Sequence, residues 1–264
     1  MIRAAVGINV QIRKIDGELG RPESNSLGRD DVRVFVSTHE LVRDRPELEH
    51  VLSDADRAHI ARFHFDADRE IARSSRTLQR LALSSCAPVA PESWLFTAEP
   101  RHKPRIAGPT PAPDLEFSVA NTQGLVVCAV AVGRRVGVDV ERVRTEVPAS
   151  VVRRCWSPSE RQRFEQLPEA EQCRRFADVW TAKEAYAKAV GLGLALDLQL
   201  VGVEVEPDDV RLDLDTTLHK NGRDWTLAVW HPRPSHTVAL CIEGDGEACR
   251  VTSHWLGAAP ADRL

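Results

Sequence analysis

Trp180-Thr181-Ala182-Lys183-Glu184-Ala185-Tyr186-Ala187-Lys188-Ala189-Val190-Gly191-Leu192-Gly193-Leu194 is the stretch around which this chain is organised. Up to residue 190 it has neither glycine nor proline, and it is rich in alanine, the strongest helix former. Gly191 is a natural left-handed stop. Extended back toward the N-terminus, the pattern predicts one helix over 169–190. At 3.6 residues per turn, Trp180, Glu184 and Lys188 share one face. Taken alone, Glu184 and Lys188 are an ordinary pair one turn apart, worth roughly 0.3–0.5 kcal/mol, and Trp180 reads as core.

Upstream, Gly137-Val138-Asp139-Val140-Glu141 follows a run of valines. Acidic residues are poor strand formers, yet here they interrupt a β-like segment. A period of two sets Asp139 and Glu141 on one face and Val138 and Val140 on the other. Adjacent carboxylates repel unless a cation or a proton lies between them. The bland reading of this segment alone is a solvated strand end. Taken with the helix, it gives three carboxylates (Asp139, Glu141, Glu184) and two lysines at hand. Oxygen-only ligands suit magnesium, which binds through carboxylates together with substrate phosphate. Phosphoryl transfer needs little beyond such positioning and charge neutralisation. The glycine-rich phosphate loop and the protein-kinase motifs are absent.

The remaining chain supplies the frame. Val32–Val36, Leu125–Val132 and Val136–Val140 read as strands, as do the runs VGVEVE, DWTLAVW and TVALCIE in the last third. Trp94–Thr97 reads as a short strand. Ser53 and Asp56 have the spacing of a helix N-cap, predicting a helix to about Phe65. A second helix is predicted over about 68–83. Ser157-Pro158-Ser159-Glu160 is a capping box with proline at the first helical position. Residues 108–114 hold three prolines and form a loop. Strands and helices fall in two clusters, near 32–132 and 136–243. The fold class is therefore α+β with two similar halves: a tail or irregular segment at 1–30, an N-terminal half at 31–135 and a C-terminal half at 136–264.

Composition narrows the function. The chain has 264 residues, net charge −4 and 42% hydrophobic residues, enough for a real core. It lacks the basic surplus of a nucleic-acid binder and any apolar run long enough to span a membrane. The N-terminus has no signal-peptide pattern. The six cysteines are scattered without a C-x-x-C, so zinc and redox motifs are not expected. Cys128 and Cys241 read as buried packing residues, and a reducing cytoplasm fits. Only five of 35 basic residues are lysine, so a lysine here hints at a need for a compact ammonium.

Gly137–Glu141 followed by Trp180–Leu194 resembles the signature pair G-x-D-x-E and W-x-x-K-E-A-x-x-K-x-x-G-x-G-L of the 4′-phosphopantetheinyl transferases of the surfactin-synthetase-activating type. Lys103-Pro104 is similar to the family's lysine-proline motif. Phe117–Thr122 stands where the family has F-N-x-S-H-S/T. The resemblance covers roughly residues 32–245. It implies two halves related by a pseudo-two-fold, with coenzyme A as substrate in the cleft between them. It implies Mg²⁺ held by Asp139, Glu141 and Glu184, with Glu184 and Lys188 catalytic. It implies coenzyme A contacts from Lys103, Pro104 and Lys188, from Lys183 (which alternatively orients the helix), and from Arg62 and Arg69 at the 3′-phosphate. The expected reaction passes 4′-phosphopantetheine to a serine of an acyl or peptidyl carrier protein, in a monomer, often for secondary-metabolite synthesis. The carrier's acidic helix would meet Arg153, Arg154, Trp156, Arg161, Arg163 and Phe164. Five of the six tryptophans read as core, Trp156 being set apart for this surface.

The chain departs from the pattern at one point: Ala120-Asn121 replaces the serine-histidine pair that contacts coenzyme A phosphates in the family. Alanine offers no hydrogen bond, and asparagine offers a neutral one. The departure leaves open two alternatives to the transferase. One is a diverged homologue acting on a coenzyme A thioester or a loaded carrier. The other is a non-catalytic carrier-binding module.

Overall fold

A computed structural model describes residues 10–14, 27–97, 103–206, 209–218, 224–244 and 249–256. In chain order the strands are β1 (Val10–Lys14), β2 (Asp31–Thr38), β3 (Leu95–Phe96), β4 (Ile106–Gly108), β5 (Leu115–Thr122), β6 (Leu125–Val132), β7 (Val136–Arg142), β8 (Val201–Glu206), β9 (Asp209–Leu214), β10 (Trp225–Arg233), β11 (His236–Glu243) and β12 (Arg250–Leu256). The α-helices are α1 (Leu41–Asp44), α2 (Asp54–Ile60), α3 (Asp66–Cys86), α4 (Ala149–Cys155), α5 (Pro158–Glu165) and α6 (Glu169–Val190).

Two sheets carry the architecture. One runs β1-β12-β2-β6-β5, the other β10-β11-β7. Strand alternation decides what each face meets. In β6, Val127, Ala129 and Ala131 pack with Val138, Val140, Val238 and Leu240 of the second sheet. Its other face, Val126, Cys128 and Val130, packs with Phe35 and with Leu78, Leu81 and Leu83 of α3. The second sheet turns Ala239, Cys241 and Leu227 outward onto α6. The order of layers is thus α3, first sheet, second sheet, α6, one long helix outside each sheet. Leu78 and Leu83 are wholly buried, and burial of such a side chain contributes about 1.5–3 kcal/mol. Cys128 and Cys241 sit in these cores, and burial pushes both thiols far up.

Helix ends follow local chemistry. Ser53 caps α2 and Asp56 returns the bond, a complete capping box. This helix stops at Ile60, short of the expected Phe65, because the chain turns there and α3 starts at Asp66. α3 continues past Leu83 to Cys86; Ser84 accepts the indole N–H of Trp94 at 2.9 Å and Ser85 donates back to Leu81 O at 2.8 Å. Ser157 and Glu160 form the predicted capping box of α5. α6 has the predicted bounds and ends on Gly191 at φ 80°.

One strand crosses the expected division at 135/136. β12 lies inside the first sheet, parallel to both β1 and β2, so residues 250–256 belong structurally with the N-terminal half. The expected irregular segment at 1–30 contains β1; residues 1–9 and 15–26 lie outside the described residues. The halves are joined where the Val138 N–H donates to Ser118 Oγ at 3.1 Å and Lys103 Nζ donates to Val136 O at 2.8 Å. No described helix is long and apolar enough to cross a membrane.

His236 clips the β5–β6 turn to the second sheet. Its Nε2 lies 2.9 Å from Gln123 O and its Nδ1 2.9 Å from Ser235 Oγ. A neutral ring with Nε2 protonated satisfies both partners. Burial holds the ring's pKa below 6.5, with Arg233, Arg142 and Arg174 acting the same way against the Gln123 bond. As pH falls, the unfolded chain therefore binds the proton first. This contribution to stability is complete above pH 6.5 and declines below it. Urea midpoints at pH 7.5 and 5.5 should differ more for the wild type than for His236→Asn; equal differences would rule this out.

Candidate active site

The site begins with the glycine of the strand motif. A Cβ built on Gly137 would stand 2.0 Å from Ala185 O and 2.4 Å from Ala189 N. Both are backbone atoms of α6, so only glycine lets the helix rest on the strand. From that contact β7 runs on through Asp139 and Glu141 while α6 runs back through Lys188, Glu184 and Trp180. The Lys188 ammonium donates to Asp139 Oδ1 at 2.6 Å. The Trp180 indole N–H donates to Glu141 Oε1 at 3.2 Å. Glu184 stands between these two pairs, one helical turn from each.

The three carboxylates feel one another. Burial, then the charge of Asp139, holds Glu141 above the usual carboxylate range, against the Trp180 hydrogen bond. Burial, then Asp139, also raises Glu184; Lys188 opposes and Glu141 adds. Asp139 is buried, and its Oδ2 has no hydrogen-bond partner.

These features are what a divalent cation needs. Three acids are held against their own repulsion, and one buried oxygen is unsatisfied. As the side chains stand, no group of three or more acidic, histidine or cysteine residues closes around an ion among the described residues; the Lys188 ammonium takes one of the Asp139 oxygens. The donor set is all carboxylate, which matches magnesium rather than a softer metal.

A cleft of about 380 Å³ opens between the halves, within the usual range for ligand sites. Lys188 lines it and so connects it to the acids. Arg76, Lys103, Ser75, Gln79, Pro104, Ser118 and Asn121 supply its other polar and lysine-proline surfaces. Lys103 also pairs with Glu116 at 3.2 Å, while burial pulls its pKa down. Three cations lining one cleft suit a polyanionic ligand.

The structure separates residues that the sequence grouped. Lys183, next to Glu184 in sequence, points about 100° away around the helix. It is wholly buried, with its ammonium 2.6–3.1 Å from Glu160 Oε2, Cys155 O, Leu198 O and Val201 O, and it does not line the cleft. Ala120 packs in the core between the sheets, whereas Asn121 lines the cleft; period two forces the pair onto opposite faces. Arg62 is exposed and outside the cleft lining. Arg69 lines a different groove and ties the α2–α3 turn, bonding Asp66 and the carbonyls of Phe63 and His64. Arg76 is the arginine that the sequence reading missed. Its spacing from Ala72, Ser75 and Gln79 along one face of α3 is the signal that would have found it. Trp156 is buried against Phe176 and Phe164 against Trp156, so they belong to the core rather than to a docking surface. Arg153, Arg154 and Arg163 remain exposed.

Residues 135–241 match the family model of the 4′-phosphopantetheinyl transferase superfamily, and residues 45–133 match that of the 4′-phosphopantetheinyl transferase N-terminal region. The chain is 30% identical to the 4′-phosphopantetheinyl transferase HetI of Nostoc sp., over 86% of this chain and 94% of that one. The chain belongs to the 4′-phosphopantetheinyl transferase superfamily. It is also 28% identical to a phosphopantetheinyl transferase of Thraustochytrium sp., over 80% of this chain and 77% of that one. A Bacillus subtilis 4′-phosphopantetheinyl transferase is 27% identical over 56% of this chain and 63% of its own length. The transferase carries both family matches on one polypeptide, and they meet at the junction of β6 and β7.

Proposed function

We propose that this transferase is of the surfactin-synthetase-activating type and moves 4′-phosphopantetheine from coenzyme A to a serine of an acyl or peptidyl carrier protein, with Mg²⁺ held by Asp139, Glu141 and Glu184. The observation that supports the reading is the Gly137 contact, which seats α6 on β7 beside the Lys188–Asp139 pair, with Lys188 also lining the basic cleft. When bound, the cation neutralises phosphate oxygens and the charge that develops during transfer.

The chain's own residues do the rest. Arg76, Lys103 and Lys188 hold the phosphates of coenzyme A in the cleft. Asn121 gives a neutral donor where the family has a histidine. Lys188 stands nearest the acids and offsets charge on the leaving group. The carrier serine oxygen bonds to the β-phosphorus, the bond to the bridging oxygen breaks, and 3′,5′-ADP departs. The serine proton needs an acceptor. Glu184 is assigned that role, as the acid one helical turn from Lys188 on the same face of α6. Exposed Arg153, Arg154 and Arg163 beside α5 suit an acidic helix on the carrier.

The test is direct. Apo carrier protein, coenzyme A and Mg²⁺ should yield a carrier heavier by one phosphopantetheine; no mass shift with any of several carriers would refute the reading. Glu184→Gln should lower kcat by about 10²–10⁴-fold with the fold intact by circular dichroism. A variant within twofold of wild type would remove Glu184 from the chemistry.

A further inference from the structure

Each strand acid of the site is held through one oxygen by a donor from α6. For Asp139 the donor is the Lys188 ammonium; for Glu141 it is the Trp180 indole N–H. The two donors differ in kind. An ammonium cancels the charge of the carboxylate it binds. An indole N–H is neutral, so it fixes the direction of Glu141 and leaves its charge available.

The indole is itself held. Trp180 stacks on Phe176 with centroids 6.3 Å apart and ring planes 7° from parallel. Phe176 stacks in turn on Trp156 at 5.9 Å and 13°. Trp156 and Phe176 are both buried. Phe176, itself backed by Trp156, fixes the plane of the Trp180 ring, and therefore the direction of its N–H. A core tryptophan with no further role has no need to aim its one polar atom at a carboxylate across the helix–strand seam.

We infer that Trp180 is a positioning residue: its N–H holds one oxygen of Glu141 so that the other is presented, still charged, to the divalent cation. The inference rests on the cation site proposed above. Neutral donors to a ligating carboxylate typically change metal affinity by 10–100-fold when removed. A packing role alone predicts a change in stability and none in affinity once packing is preserved.

The experiment uses the full chain with Mn²⁺ as the probe, read by the electron paramagnetic resonance signal of the free ion, without coenzyme A or carrier. β-(3-Benzothienyl)alanine placed at position 180 keeps the size and stacking of indole and lacks the N–H. Trp180→Phe serves as a second, encodable variant that retains a ring against Phe176. The expected result is a Mn²⁺ Kd weakened about tenfold or more in both variants, with the thermal midpoint of the isostere unchanged. In a Glu141→Ala background the isostere should weaken Mn²⁺ no further. An isostere with wild-type Mn²⁺ affinity overturns the role of Trp180 and leaves the cation site standing. Failure of the wild type to bind Mn²⁺ overturns both.

Discussion

Lys183→Met is expected to destabilise the folded transferase by about 3–5 kcal/mol, the usual consequence of removing one partner from a buried ion pair. Lys183 is wholly buried, and its ammonium sits 2.8 Å from Glu160 Oε2 and within 3.1 Å of three carbonyls contributed by Cys155, Leu198 and Val201. Glu160 is also buried and accepts the N–H groups of Ser157 at 2.7 Å and Val203 at 2.8 Å. One ammonium thus ties α6 to the end of α4, the start of α5 and the entry to β8. Methionine fills much of the volume but leaves the Glu160 carboxylate without its counter-charge. For a chain of this size the loss corresponds to a fall in Tm of roughly 10 °C or more. Urea unfolding followed by circular dichroism measures it. Adding Glu160→Gln should recover part of the loss, since the stranded charge is then gone. Below the melting transition, kcat per folded molecule should stay near the wild-type value, because Lys183 does not reach the cleft. A destabilisation under about 1 kcal/mol, or a selective rise in the KM for coenzyme A, would contradict this assignment.

Gly137→Ala should damage activity more than its single methyl suggests. The added carbon would stand 2.0 Å from Ala185 O, where ordinary contact begins at 3.4 Å, and the Ala189 Cα is 2.9 Å away. No side chain can rotate clear, because all three neighbours are backbone. The strand and helix must separate by more than 1 Å at the point that sets Asp139 against Lys188 and Glu141 against Trp180. Overpacking costs about 1–3 kcal/mol of stability, and a misplacement of this size costs on the order of 10² in rate. Transfer assays should therefore show about a hundredfold loss while circular dichroism still reports a folded protein. Activity within twofold of wild type would mean that the seam does not set the geometry of the acids.

Much of this site is legible in the sequence because it obeys two local periods. The period of two in Gly137–Glu141 faces both strand acids one way, and the period near four in Trp180–Lys188 lines up their partners. The bounds of α6 follow from Gly191 and from the absence of any breaker before it. The same periods, applied strictly, place Lys183 off the active face and Ala120 on the opposite side of the sheet from Asn121. Grouping those residues by adjacency in the motif obscured this. Other features are not local. Arg76 enters the cleft, and Arg62 and Arg69 do not, because α3 starts at Asp66 and packs in one rotation against the first sheet. Trp156 is drawn inside by Phe176 of the next long helix, and Phe164 packs edge-on to Trp156. The placement of β12 beside β2 pairs residues more than two hundred positions apart, and no repeat or spacing announces it.

That placement ties the order of synthesis to the order of assembly. The strand at 250–256 emerges from the ribosome among the last described residues, yet it occupies an interior position in the first sheet, between residues 10–14 and 31–38. Until it arrives, one long edge of β2 lies open, with its N–H and C=O groups ready to pair with another chain. The first sheet therefore lacks an interior strand until the late residues arrive. A cut of the gene at the 135/136 junction would give two fragments, one missing an interior strand and the other carrying it with nowhere to dock.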